Sequence, residues 1–175
     1  MTKVLNDSKA ELRQRVRDNV EKGAVTPSYT LDLTQMLKRL NEALATELVC
    51  VLRYRRHYFM AQGLDSQPVA QEFLEHSNEE LGHADMIAKR IKQLGGEPNF
   101  NPTQLATNSH SEYVEALDLE EMIKENVIAE RIAIESYREF IQWIGEADST
   151  TRRMLEEILE VEEEHADELS DLMRN

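Results

Sequence analysis

Cysteine is almost absent from this chain of 175 residues: Cys50 stands alone, so no internal disulfide can form and the fold must rest on its own core. A lone cysteine suits a reducing compartment, and the cytoplasm is the expected location. Glycine and proline are scarce too, six and four residues, and they cluster between long stretches rich in Leu, Ile, Ala, Glu, Lys and Arg. That composition leaves little room for strands and favours helices. No stretch approaches the roughly 20 apolar residues of a membrane span, and the chain opens into charged residues rather than a continuous apolar run. Positive charge is in deficit: 20 Lys and Arg against 34 Asp and Glu give a formal charge of −14. Such a surface disfavours general binding to phosphate backbones, and it suits either solubility or the attraction of cations.

The length fits one domain able to bury a full core. Residues 1–30 mix both charges and end in the breaker cluster Gly23–Ser28, so they read as an N-terminal extension. Val4, Leu5, Leu12, Val16 and Val20 give that extension the pattern of a short amphipathic helix. From residue 31 to 175 four helical stripes follow. The first, over about 32–62, runs Leu33, Leu37, Leu40, Leu44, Glu47, Val51, Tyr54, Tyr58 before Gly63. The second opens near Pro68 and runs Phe73, Ser77, Glu80, Ala84, Ile87, Ile91, Leu94, where Gly95, Gly96 and Pro98 stop it. Residues 95–117 form a long connection, with a short helical piece expected at 112–117. Asp118 then caps a third stripe, Ile123, Val127, Glu130, Ile134, Tyr137, Ile141, Ile144, ending at Gly145. The fourth starts near Asp148 or Ser149 and carries Thr151, Leu155, Ile158, Glu162, His165, Leu169, Leu172. Short first and last connections with a long middle one describe two antiparallel hairpins joined by a crossover.

The chemistry lies in four residues that do not belong on apolar stripes. Glu47, Glu80, Glu130 and Glu162 each sit at a stripe's centre, where an unpaired carboxylate costs several kcal/mol or is neutralised by a proton. Four converging carboxylates call for cations between them. His83 and His165 each follow a glutamate by three positions, on the same helix face, and so reach the same place. The hairpins also repeat one another: Glu80 follows Glu47 by 33 positions, Glu162 follows Glu130 by 32, and Tyr54 and Tyr137 each stand seven residues after the first glutamate of their hairpin. Carboxylate and imidazole ligands suit iron or manganese; zinc accepts them but prefers four-coordinate sites.

At these residues the chain resembles the ferritin-like superfamily, and within it the bacterioferritin branch, over about residues 31–172. The resemblance implies an all-α ferritin-like four-helix bundle with a ferroxidase centre holding two iron ions per subunit. In that centre Glu80 and Glu162 bridge the ions, Glu47 and Glu130 are outer carboxylates, and His83 and His165 bind one ion each. Tyr54 corresponds to the family tyrosine near the ions, the alternative being a core aromatic; at Tyr137 the core reading is preferred. The implied activity is oxidation of Fe(II) by oxygen or hydrogen peroxide and deposition of Fe(III) inside a hollow homo-oligomeric shell. Bacterioferritins bind haem through a methionine just after the second-helix glutamate, and here Leu81 stands there, so no haem is expected. The long middle connection and the absence of a fifth helix resemble smaller Dps-like proteins, favouring a 12-mer over a 24-mer.

Two other functions share these features. One is a di-iron or di-manganese oxidase or peroxidase of the same fold; the other is a Dps-like DNA-protecting protein using the N-terminal arm, whose nearly balanced charge argues against DNA. Among the remaining residues, Cys50 reads as packing. Arg53, Arg55, Arg56 and His57 read as a solvated face or subunit contact, and Glu79, Glu163 and Glu164 as solvated. His76 stands four residues before Glu80, where an extra ligand is conceivable, but without motif support it reads with His57 and His110 as an ordinary polar residue. Trp143 is expected at an edge or interface.

Overall fold

The computed structural model describes residues 8–17, 20–63 and 66–174. Lys3, Val4, Leu5, Asp7 and Asp18, which contribute to the expected amphipathic pattern and charge of the extension, lie outside the described residues. The described residues form six α-helices and one 3-10 turn and contain no strand. No helix among them is long and apolar enough to cross a membrane.

The four long helices are α2 (Leu33–Met60), α3 (Ser66–Gln93), α5 (Leu119–Ile144) and α6 (Ser149–Leu172). Their ends follow from local chemistry. Asp32 opens α2 by accepting the Thr34 and Gln35 backbone N–H groups, and Asp118 opens α5 by accepting that of Glu121. Pro68 falls in the first turn of α3, where a missing N–H costs nothing. Gly145 closes α5 at φ +54°, a backbone state that disfavours any residue with a Cβ. Asp148 both caps α6 and pairs with Arg90 at 2.9 Å, tying the end of α3 to the start of α6.

Helix α2 packs along α3 and α5 along α6; the two hairpins meet through α2 against α5 and α3 against α6. The apolar core comes in two blocks. One holds Met36, Leu40, Leu44, Ile87, Ile91, Phe140, Ile144, Leu155 and Ile158; the other holds Cys50, Tyr54, Val69, Phe73, Met122, Ile123 and Leu169. Along every long helix the stripe glutamate falls between these blocks, so a polar layer crosses the bundle at mid-height.

The crossover differs from the sequence expectation. Its helix is α4, Pro102–Asn108, and residues 112–117 are not helical. Asn101 accepts from Thr103 N–H with Pro102 at the first helical position, a start signal stronger than anything near residue 112. Helix α4 packs on α2 as the chain travels from one end of the bundle to the other. In the extension, α1 (Lys9–Arg15) opens with a Ser8–Glu11 capping box. Leu12, Val16 and Val20 stay exposed, whereas Val25, Tyr29 and Leu31 lie against the core.

Candidate metal centre

All six side chains singled out as ligands enter the mid-height layer, and all are buried. Glu47 comes from α2, Glu80 and His83 from α3, Glu130 from α5, and Glu162 and His165 from α6. They form two overlapping groups whose nitrogen and oxygen atoms lie within 4.8 Å of one another: Glu47, Glu80, His83 and Glu162, and Glu80, Glu130, Glu162 and His165. Glu80 and Glu162 belong to both. His83 Nδ1 stands 3.1 Å from Glu80 Oε2, 3.2 Å from Glu162 Oε1 and 3.5 Å from Glu47 Oε2. His165 Nδ1 faces Glu80 Oε1 at 3.6 Å and Glu130 Oε2 at 4.0 Å, while its Nε2 donates to Glu79 Oε2 at 2.8 Å.

This layer fits cations. Glu47 Oε2, Glu80 Oε1, Glu130 Oε2, Glu162 Oε1 and His165 Nδ1 are buried with no hydrogen-bond partner, and all five belong to the two groups. Buried polar atoms are seldom left so, and five in one layer, all carboxylate oxygens or an imidazole nitrogen, are the donor set that could hold metal ions. Charge within the layer is balanced by protons otherwise. Burial pushes Glu47 up to about 8, helped by the Glu80 charge, and raises Glu162 and Glu130 in the same way. Burial opposes charge on the imidazoles, yet the Glu47 and Glu80 carboxylates hold His83 up at about 10, and Glu80 holds His165 up at about 9. Glu80 is the exception: burial would raise it, but the facing imidazoles of His165 and His83 bring it well below the usual range.

The tyrosines cross between hairpins. Tyr54 on α2 donates to Glu130 on α5, and Tyr137 on α5 donates to Glu47 on α2. Tyr137 therefore does more than fill the core; each phenol fixes one oxygen of an outer carboxylate and leaves the other aimed inward.

Three further expectations need correction. Arg53 is fully buried rather than solvated: Nε donates to Asn126 Oδ1 at 2.8 Å and Nη1 to the Glu112 carbonyl at 3.1 Å. His57 is buried beside it, accepting from Asn126 Nδ2 at 2.9 Å, and burial with the Arg53 charge pushes it down to about 4. Polar residues of the crossover and α5 supply these bonds, which no local pattern in α2 reveals. His76 is also buried, stacked on His165 with ring centroids 3.8 Å apart. Its position four residues before Glu80 on the same helix face was the available signal. Glu79 is exposed as expected, but it also orients His165. Trp143 is partly buried, with Arg39 stacked 4.9 Å over its ring, and Cys50 packs in the core.

A helical bundle of paired hairpins, cut across by a layer of four carboxylates and two imidazoles, defines a class of metal-handling carboxylate bundles. The chain belongs to the ferritin-like family, whose profile, described as a ferritin-like domain, matches residues 37–175. A bacterioferritin of Desulfovibrio desulfuricans is 28% identical over 132 residues, 75% of this chain and 70% of that protein. Among solved structures, the bacterioferritin-related protein of Bacteroides fragilis, a dodecameric thioferritin, superposes with a TM-score of 0.78 at 31% identity, covering 91% of each chain. Dps from Thermosynechococcus elongatus superposes with a TM-score of 0.77 at 20% identity over 80% of this chain and 90% of that one, a likeness of fold.

Proposed function

We propose that this chain is the subunit of an iron storage and detoxification protein that oxidises Fe(II) to Fe(III) with oxygen or hydrogen peroxide. The observation that carries the reading is the pair of four-ligand groups sharing Glu80 and Glu162. Shared carboxylates set two ions side by side, and each ion oxidised gives up one electron to the oxidant.

The chain's own residues make that possible in three ways. Glu47, Glu80, Glu130 and Glu162 lie in a buried layer between two apolar blocks, where their charge favours a higher oxidation state more strongly than it would in water. Tyr54 and Tyr137 hold the outer carboxylates, and Glu79 holds the His165 ring, so the ligand set is largely preformed. Binding displaces protons from His83, His165 and Glu47, whose nitrogens and oxygens become the ligand atoms.

Similarity to bacterioferritin and to the dodecameric thioferritin supports a hollow homo-oligomeric shell of twelve subunits into which Fe(III) is deposited. Leu81, on the exposed face of α3, offers no sulfur to a haem, and the purified protein is expected to lack a Soret band.

Aerobic loading with Fe(II) well beyond two ions per chain, followed by sedimentation velocity tracking protein and iron together, tests the proposal. Excess iron travelling with a large particle is the expected outcome. Saturation near two ions per chain on a small oligomer would replace storage with a di-metal oxidase or peroxidase. In parallel, Glu80→Ala with His83→Ala should abolish Fe(II) oxidation while the far-ultraviolet circular dichroism stays helical; unchanged oxidation would refute the site.

A further inference from the structure

The two ends of the bundle differ in charge and in what they leave uncovered. Residues 1–30 hold six Lys and Arg against four Asp and Glu, and residues 31–175 hold 14 against 30. A mildly basic arm is thus joined to a strongly acidic bundle. Val25, Tyr29 and Leu31 fasten the arm to the core block that contains Leu155 and Ile158, where the Tyr29 hydroxyl donates to Asp148 at 3.2 Å. Further out along the arm, no residue of α1 or of the 3-10 turn Val20–Lys22 is buried. Leu12, Val16 and Val20 recur every four positions and are all exposed, Val20 to 75%. Lys9, Arg13, Arg17 and Lys22 have no carboxylate partner among the described residues.

The opposite end of the bundle has the complementary surface. A cleft of about 460 Å³ lies between the start of α5 and the end of α6, lined by Leu119, Glu120, Ile123, Leu172 and Met173. Leu117, two residues ahead of Leu119, is 90% exposed, and Met173 is exposed as well. Contiguous apolar surface of this kind gains by being covered. Around it stand the exposed carboxylates of Glu112, Glu120 and Glu121. Helix α6, with 24 residues, sets the arm's anchor and the cleft roughly 35 Å apart. In one chain, arm stripe and cleft are therefore both bare.

We propose that the arm docks in this cleft on a second copy of the chain, with Leu12, Val16 and Val20 against Leu119, Leu172 and Met173, and the arm's cations against Glu112, Glu120 and Glu121. Charge selects the occupant, because a basic segment is drawn to an acidic bundle and repelled by another arm. Arm and cleft are different surfaces at opposite ends, so the contact is head-to-tail, and repetition about a rotation axis closes it into a ring. Duplex DNA is the poorer partner: an arm with an excess of two positive charges releases few counterions, and the acidic bundle repels phosphate.

The test uses full-length chains. Val16→Cys with Leu119→Cys puts one thiol on the arm and one in the cleft, and the native Cys50 is buried. With a flexible bismaleimide, denaturing gels should show a ladder of joined chains from the double variant and single chains from either variant alone. No ladder, linkage within one chain only, or an arm-to-arm dimer from Val16→Cys alone overturns the proposal. Trypsin gives a second reading: cutting after Arg13, Arg15 and Arg17 should be roughly 10-fold faster when Leu117→Asp and Met173→Asp spoil the cleft at the far end, with the circular dichroism unchanged. Cutting at an unchanged rate refutes the docking, and cutting slowed by duplex DNA but not by an intact cleft makes DNA the occupant instead. Sedimentation velocity keeps this failure apart from that of the shell. A large particle without the ladder overturns the docking alone, whereas a ladder from a small oligomer upholds the docking and counts against the shell.

Discussion

Loading the metal-free chain with Zn(II) should expel protons, and their number follows from the layer. At pH 7 His83, held up at about 10, and His165, held up at about 9, are imidazolium; Glu47, pushed up to about 8, is mostly protonated. A ligand atom cannot carry both a proton and a metal, so filling both groups releases about three protons per chain at pH 7. At pH 8.5 Glu47 is largely ionised beforehand and the release falls by somewhat less than one. Isothermal titration calorimetry in buffers of different ionisation enthalpy reads the number as the slope of observed heat against buffer enthalpy. Release below one proton per chain at pH 7 would refute the charge balance described for the layer. The same shifts set the stability of the metal-free chain. Each of these groups has a raised folded-state value, so each holds its proton more tightly in the folded chain. The stability this gives is complete below about 4.5 for Glu47 and 6.5 for the histidines, and is lost as pH rises through about 8, 9 and 10. The melting temperature of the metal-free chain should therefore fall between pH 6 and pH 10, and Zn(II) should flatten or reverse that fall.

Other expectations concern the supports of the site. Arg53→Met removes the buried donor to Asn126 and the Glu112 carbonyl and should cost about 3 kcal/mol, read from the urea midpoint of the metal-free chain. Asp148→Ala strips the α6 cap and leaves Arg90 unpaired, for a loss of about 3 kcal/mol by the same measurement. Asp148 itself is depressed: burial would raise it, but the Thr151 bonds and Arg90 outweigh that, so its contribution is present above about 3.8 and lost on acidification. Tyr54→Phe should leave two Zn(II) bound per chain yet weaken them roughly 10-fold or more, since Glu130 loses the donor that fixes it.

The bundle was legible in the sequence because helical stripes, caps and breakers are local signals. The six side chains of the mid-height layer were legible because a carboxylate at the centre of an apolar stripe contradicts its surroundings, a contradiction visible without a partner, and because each histidine follows such a carboxylate by three positions. Arg53 and His57 were not, since a charge flanking a stripe looks the same whether water or a returning segment meets it. The segment that does so, residues 112–115, lies about 60 positions away in sequence. The helix of the crossover lies elsewhere than expected for a different reason: a proline inside a long polar connection looks like a breaker, but Asn101 followed by Pro102 also opens a helix. His76 has no second residue in a repeating motif, and its contacts emerge only where α6 brings Glu168 and His165 beside it.

The crossed phenols have a consequence for how the halves can meet. Each hairpin carries one hydroxyl that finds its acceptor only on the other hairpin, Tyr54 on Glu130 and Tyr137 on Glu47. Apolar blocks alone would tolerate sliding by a helical turn, about 5.4 Å, because leucine and isoleucine recur along the stripe. Such a slip would break both bonds together and strand two carboxylates against hydrocarbon. The polar layer thus works as a key that admits one vertical alignment of two nearly interchangeable parts.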